Sequence, residues 1–270
     1  AGEIIGYIDV WDVSKPHVTK YTFGLMHPDA WDDQVFFDML AWAEECGRSR
    51  IDLAPEGARV ILNFGLNNRD TKRKKVMEAY GYDLVRHFYR MVIDMGHALP
   101  APKLPENIRI APIRLDEELH DAVKALDEGF ADHWGHVHHS LEESLRQWKH
   151  MIETSDDFDP TLWHLAKDGE EIAGVCRCSE KVTEDPDMGW VNQLCVLRPW
   201  RRRGLGLALL HTAFNEFHRR GKQRVGLGVD ANSLTNATRL YEKAGMRVVR
   251  QYDTYEFELR PGEDLRTIQA

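Results

Sequence analysis

The sequence predicts an α/β protein in which one unit occurs twice in tandem, each copy a mixed, mostly antiparallel sheet flanked by helices, with the N-terminal copy incomplete. Three observations predict it. Strand-period and helix-period segments alternate along the chain, a proline-rich stretch divides it, and the segments after the division repeat the order of those before it.

Before the division, residues 3–13 and 18–26 read as strands, 29–46 as a helix, 59–64 as a strand, 70–79 as a helix and 84–95 as a strand. Pro100, Pro102 and Pro105 then interrupt regular structure, so 99–107 reads as a linker between domains at 1–98 and 108–262. After it come a strand at 108–113, a helix at 116–130, and a second helix from Ser140, which has capping-box spacing to Glu143. Strands at 163–166 and 172–178 flank Asp168-Gly169, a hairpin signal. A strand at 190–196, a helix at 205–220 closed by Gly221, a strand at 223–230, a helix ending at Gly245 and extended chain to Leu259 complete the order.

The repeat can be aligned residue by residue. Met77-Glu78-Ala79-Tyr80-Gly81-Tyr82 matches Tyr241-Glu242-Lys243-Ala244-Gly245-Met246, and Val85-Arg86 matches Val249-Arg250 at the same offset. The first copy lacks the strand, two helices and hairpin that open the second. The chain therefore reads as beginning inside its first domain, either because an N-terminal segment was removed or because that domain is naturally short, and either case exposes a sheet edge.

Composition narrows the function. The formal charge of -9 argues against a general affinity for nucleic acid or anionic membrane. No run of roughly 18 apolar residues and no signal-peptide pattern is present, which reads as a cytoplasmic protein. Cys46, Cys176, Cys178 and Cys195 are too few for a disulfide framework and lack a matching ligand pair, so they read as structural thiols and no metal is expected.

Against the acidic trend stands a basic stretch, Leu194-Cys195-Val196-Leu197-Arg198-Pro199-Trp200-Arg201-Arg202-Arg203-Gly204-Leu205-Gly206, a strand followed by a turn and a helix start. Leu207, Leu210, Phe214 and Phe217 would pack that helix on the sheet and fix its N-terminus. Unpaired N–H groups, two glycines without side chains and three arginines together favour a phosphate there. A strand-to-helix turn with a solvated arginine run is the plainer reading. On the strand at 223–230, Gly226 and Gly228 leave one face bare, suited to a close approach or to a packed helix.

Arg201-x-x-Gly204-x-Gly206 resembles the acetyl-coenzyme A pyrophosphate loop of the GNAT N-acetyltransferase superfamily, and Ala237-x-x-Leu240-Tyr241-Glu242-Lys243-x-Gly245-Met246 resembles its second signature. The repeated architecture is similar to that of tandem-domain members. The resemblance covers roughly 108–259 and implies acetyl-CoA as co-substrate and an amine as acceptor. It implies that Leu194, Cys195 and Val196 bond the pantetheine arm, with the Val196 N–H polarising the acetyl carbonyl. Arg201, Arg202, Arg203, Gly204, Leu205 and Gly206 would hold the pyrophosphate. Tyr241 would protonate the departing thiolate, a transfer uphill by roughly 2 kcal/mol at ordinary pKa values. The alternative for Tyr241 is a core residue.

Two features depart from the pattern. The asparagine often found seven residues before the tyrosine is Leu234 here, with Asn232 and Asn236 nearby as either cofactor contacts or helix caps. No carboxylate lies at 190–193 to serve as general base, and Asp187 falls just outside. The segment at 130–139 corresponds to the acceptor-lining connection of the superfamily. There Asp132, His133 and Trp134 are the expected acceptor contacts, through charge, proton removal and an aromatic cover, with solvated loop histidines as the alternative. In the first copy Trp31, Gln34 and Phe36 stand at the positions of Arg201, Gly204 and Gly206, and Met77 stands for Tyr241, so that copy is expected not to catalyse. A small-molecule N-acetyltransferase, a protein N-terminal or lysine acetyltransferase and a non-catalytic acetyl-CoA sensor remain open, as do monomer and homodimer.

Overall fold

A computed structural model describes residues 2–96, 99–233 and 236–268. Strands β1 (Gly6–Trp11), β2 (Thr19–Met26), β3 (Val60–Asn67) and β4 (Asp83–Asp94) alternate with helices α1 (Asp33–Arg48) and α2 (Thr71–Tyr80). Then follow β5 (Ile108–Pro112), α3 (Leu115–Phe130), α4 (Leu141–Thr154), β6 (Trp163–Asp168), β7 (Glu171–Ser179) and β8 (Met188–Val196). The chain ends with α5 (Leu205–Arg219), β9 (Arg224–Asp230), α6 (Ala237–Lys243) and β10 (Arg247–Arg260). Every strand and helix expected from the sequence is present, and the pairing is mostly antiparallel, with β2–β3 and β8–β9 the parallel pairs among the registers described. The fold is mixed α/β, with the unit repeated.

Contacts divide the chain into one unit of Ala1–Phe88 with Arg250–Leu265 and another of Tyr89–Val249 with Arg266–Ala270. These divisions fall inside β4 and β10 and not at the proline-rich segment 99–107. In the first unit β2 pairs with β3 and β3 with the end of β10, from Asn67↔Tyr252 to Val60↔Arg260. Its α1 buries Phe36, Leu40 and Ala43 and leaves Phe37 and Trp42 exposed.

The second unit has the strand order β4-β9-β8-β7-β6-β5. Its sheet carries a core on each face. On one, α5 presents Leu205, Leu209, Leu210, Phe214 and Phe217, all buried, with Val191, Val225 and Leu227. On the other, α3 presents Ala122, Ala125 and Leu126 to Trp163, Leu165, Val175 and Cys195. Each apolar stripe follows the helical repeat, so packing fixes both helix axes over the strands that carry the site. No helix among the described residues is long and apolar enough to cross a membrane.

Candidate active site

The register of β7 against β8 slips once. Arg177 faces Gln193 whereas Cys178 faces Val191, which leaves Asn192 as an extra residue in β8. Before this bulge Val191 packs under α5, and after it Cys195 packs under α3. Past the bulge the Leu197 N–H donates to the Ala173 carbonyl at 2.9 Å. Alternation in an antiparallel pair then turns the N–H groups of residues 195 and 197 toward β7 and those of Leu194 and Val196 toward β9. There β9 has already left. Its pairs with β8 run from Met188↔Arg224 to Val191↔Leu227, although β8 continues to Val196 and β9 to Asp230. The two strands part into a slot with main-chain donors on one wall.

Glycines keep the slot open in different ways. A Cβ on Gly226 would come within 2.6 Å of the Trp190 ring, so that half of the bare face is already covered. Gly228, just past the last pair, has no atom within 4 Å of where a Cβ would lie. Gly204 is equally open and has a φ of +84°, a left-handed conformation that suits glycine. A Cβ on Gly206 would instead lie 3.1 Å from Leu240 and 3.7 Å from Val196, so its bareness serves packing as well as access.

Between strand and helix, Arg201 is half-buried and its Nε donates to the Val196 carbonyl at 2.9 Å, tying the loop to the strand end. Arg202 has a φ of +64°, and the exposed Arg202 and Arg203 side chains lie at the start of α5. No side chain caps this helix, whose N-cap is Gly204. Its first N–H groups and partial positive charge are therefore available to an anion. Leu205 and Cys195 turn their side chains into the core, and burial pushes the Cys195 thiol up to about 12, so neither side chain bears on the slot.

Tyr241 lies 8% exposed on α6, in the core with Leu205, Leu209 and Val229. Burial, with a smaller contribution from Cys176, raises its hydroxyl well above the ordinary tyrosine value. The ordinary value assumed from sequence does not hold, because the anion would lack solvent. Asn236 is left-handed at the start of α6 without a side-chain cap bond, and the Asn232 N–H is held by Asp230. The Leu234 position lies outside the described residues.

The loop at 130–139, expected to line the acceptor, is pinned from two sides that the sequence did not reveal. Arg198 grips Asp132 with two bonds of 2.8 and 2.6 Å, which holds that carboxyl below the usual range and engages the charge expected to meet the acceptor. On the other side, Gly135 N–H donates to the Thr267 carbonyl (2.8 Å), Thr267 N–H to the His136 carbonyl (2.7 Å), and Arg266 lies 5.9 Å over the Trp134 ring. Neither partner is near the loop in sequence. His133 packs on Phe130 at 4.4 Å and is pushed below the ordinary histidine value mainly by burial, against the field of Asp230. Its imidazole is thereby neutral at pH 7. No group of three or more metal-ligating side chains occurs among the described residues.

The profile of the acetyltransferase (GNAT) family matches residues 121–246. A GCN5-related N-acetyltransferase structure from Sphaerobacter thermophilus is 32% identical, with a TM-score of 0.83, covering 96% of this chain and 78% of that one. This chain belongs to the GNAT family. That family is one of acetyltransferases. The chain's fold is also that of a tandem GNAT protein from the clavulanic acid biosynthesis pathway, at a TM-score of 0.66 and 16% identity over 96% of this chain and 85% of that one. Mycothiol acetyltransferase of Thermobispora bispora is 30% identical over 176 residues, which are 63% of this chain and 57% of that protein. A second, from Renibacterium salmoninarum, is 26% identical over 68% of this chain and 54% of its own length, so this GNAT chain spans little more than half of the curated relatives it matches.

Proposed function

We propose that the enzyme moves acetyl from acetyl-CoA to a primary amine of a small molecule by direct attack. The observation that carries this reading is the slot between β8 and β9, into which the Val196 N–H points beside the uncapped start of α5. The residues present fit acetyl-CoA. Main chain at 194–196 offers strand-like partners to a pantetheine arm, and the N–H groups of Gly204, Leu205 and Gly206 with Arg202 and Arg203 offer a pyrophosphate seat, while Arg201 braces the loop. Bound there, acetyl-CoA supplies an activated acyl carbon.

The chain's own groups do the rest. The Val196 N–H stabilises charge on the acyl oxygen, a term worth roughly 10² to 10³ in rate for one such donor. Neutral His133 takes the ammonium proton, which places the acid limb of activity below pH 6.5. Trp134 covers the acceptor, and Asp132 acts by holding the loop through Arg198. Tyr241 delivers a proton to sulfur, and Asn232 and Asn236 border the cofactor. The names of the relatives, mycothiol and clavulanic acid among them, support a small acceptor. Thiol release from acetyl-CoA across a panel of amines tests the reading. Release that depends on one amine is expected, and acetyl-CoA binding without release for any amine would leave a sensor instead.

A further inference from the structure

Arg177 stands on β7 opposite Gln193 of β8, one residue before Leu194, whose N–H faces the slot. Its neighbours Cys176 and Cys178 pack under α5, so alternation turns Arg177 to the other face of the sheet, beneath α4. That is the face on which α3 and α4 lie, with the loop at 130–139 between them. There the guanidinium lies 5.1 Å over the Trp148 ring, and its Nε donates to the Gln193 side chain at 2.8 Å. Trp148 in turn packs on buried Trp163 at 5.1 Å, so one edge and one face of the guanidinium are held in place.

This side chain lacks an anion. Half-buried guanidinia elsewhere are matched to carboxylates, Arg59 to Glu256, Arg73 to Asp70, Arg90 to Glu184 and Arg220 to Glu216 and Asp159. Among the described residues no carboxylate pairs with Arg177, and burial pushes it below the ordinary arginine value against the field of the Cys178 thiol. Arginine stays charged all the same, so the cost of taking it from water stands uncompensated. Its two Nη atoms bond to none of the described residues, and they are not among the polar atoms sealed from water, so this end of the fork opens outward. Nor does the fold demand a cation here. Gly6↔Met26 in the first unit corresponds to Gly174↔Val196, which puts Asp9 and Phe23 where Arg177 and Gln193 stand. Asp9 is satisfied locally, by the Tyr7 hydroxyl and the Phe23 N–H.

With Nε engaged, the two Nη atoms present parallel N–H donors, the arrangement that a carboxylate meets with both oxygens. Gln193 and Val196 lie about 10 Å apart along β8, a span that a molecule of a few carbons covers. We infer that the acceptor is an amine that also carries a carboxylate, with Arg177 holding the carboxylate while the amine reaches the acyl carbon. The inference rests on the acetyl-transfer reading above and adds the chemical class of the acceptor to it.

Straight-chain ω-amino acids from glycine to 6-aminohexanoate, each beside its primary amide, keep the amine and the chain length and remove the charge. On the full chain with coenzyme A bound, the Nε–Hε signal of Arg177, identified by its loss in Arg177→Lys, should shift with an acid and not with its amide. Thiol release from acetyl-CoA should favour that acid over its amide about tenfold or more in kcat/KM, chiefly through KM. The ratio should fall to about one in Arg177→Gln and to an intermediate value in Arg177→Lys, which keeps the charge without the fork and serves alone if the first variant fails to fold. Equal turnover of acids and amides, or an acid preference that Arg177→Lys leaves unchanged, overturns the inference while acetyl transfer stands. A shift without thiol release from any member supports the carboxylate site and counts against acetyl transfer. Absence of a shift with every acid overturns the inference whatever the turnover.

Discussion

The segment from β8 to β9 and its counterpart from β2 to β3 have the same order of strand, short 3-10 turn, helix and parallel strand, yet only one is left open. The registers are superimposable: Tyr21↔Asn63 corresponds to Val191↔Leu227. In the first unit β2 carries no bulge, and its pairs with β1 run unbroken from Gly6↔Met26 to Trp11↔Tyr21. Pairing with β3 accordingly continues one residue further, to Thr22↔Phe64. Beyond that, the Arg73 guanidinium donates at 2.6 Å to the carbonyl of Gly24, the counterpart of Leu194. At the helix start, the Asp32 carboxylate accepts from the N–H groups of Gln34 and Val35, where α5 has the bare Gly204. One copy satisfies its own polar groups, and the other leaves them unpaired among the described residues. A site of this kind is built by withholding partners that the fold would readily supply.

The largest effect is expected from making β8 resemble β2. Deleting Asn192 removes the bulge, lets β9 pair further and closes the slot. Acetyl-CoA binding by calorimetry should disappear while the melting temperature stays within a few degrees. Retained binding would show that the bulge is not what opens the strands.

Tyr241→Phe comes next. It mimics the apolar Met77 of the first copy while keeping most of the packing. A fall of about 10² in kcat with little change in acetyl-CoA affinity is expected for a lost acid. A lower melting temperature with wild-type turnover would make Tyr241 a core residue, a pattern that its burial makes informative.

Gly204→Asp places at α5 the carboxylate that Asp32 provides at α1. Competing for the same N–H groups, it should weaken acetyl-CoA about tenfold or more, measured by calorimetry beside Gly204→Ala to isolate the backbone cost of a left-handed residue. Equal losses in the two variants would mean that the anion seat is not at this turn.

Arg73→Ala tests the converse. Removing this self-made plug is expected to leave one acetyl-CoA per chain, because the Asp32 carboxylate still holds the N–H groups at the start of α1, and to cost about 1–2 kcal/mol of stability for the lost charged bond. A stoichiometry of two would reverse the reading of the first unit.

The smallest effect concerns the support of the open copy. Glu118 on α3 pairs with buried Lys167 and with Arg114, and these bonds outweigh burial to hold it down to about 2. A depressed carboxylate stabilises above its unfolded value near 4.5 and loses that contribution as pH falls toward 2. Melting temperatures of the native chain and Glu118→Gln should therefore differ at pH 6 and converge as the pH approaches 2.

Much of this was legible in the residues. Helical stripes such as Leu210, Phe214 and Phe217, the turn at Asp168-Gly169, and the matching of Met77-Glu78 with Tyr241-Glu242 depend on neighbours within a few positions, so local patterning alone specified the α/β repeat and the helix start at Gly204. The expectation that the first copy does not catalyse was equally read from which side chain stands where. What escaped was everything set by pairs distant in sequence. A bulge at Asn192 exists only as a slip between two strands, and nothing in Trp190-Val191-Asn192-Gln193 announces it. The Arg198 grip on Asp132 spans 66 residues, and the Thr267 bonds to the loop at 130–139 span more than a hundred. Tyr241 likewise has an identity in the sequence but acquires its raised pKa from the core around it. The sequence by itself determined which elements form and that a helix starts at Gly204 behind three arginines. Only the tertiary structure decided which donors are left unpaired, because an unpaired group is defined by the strand that fails to reach it.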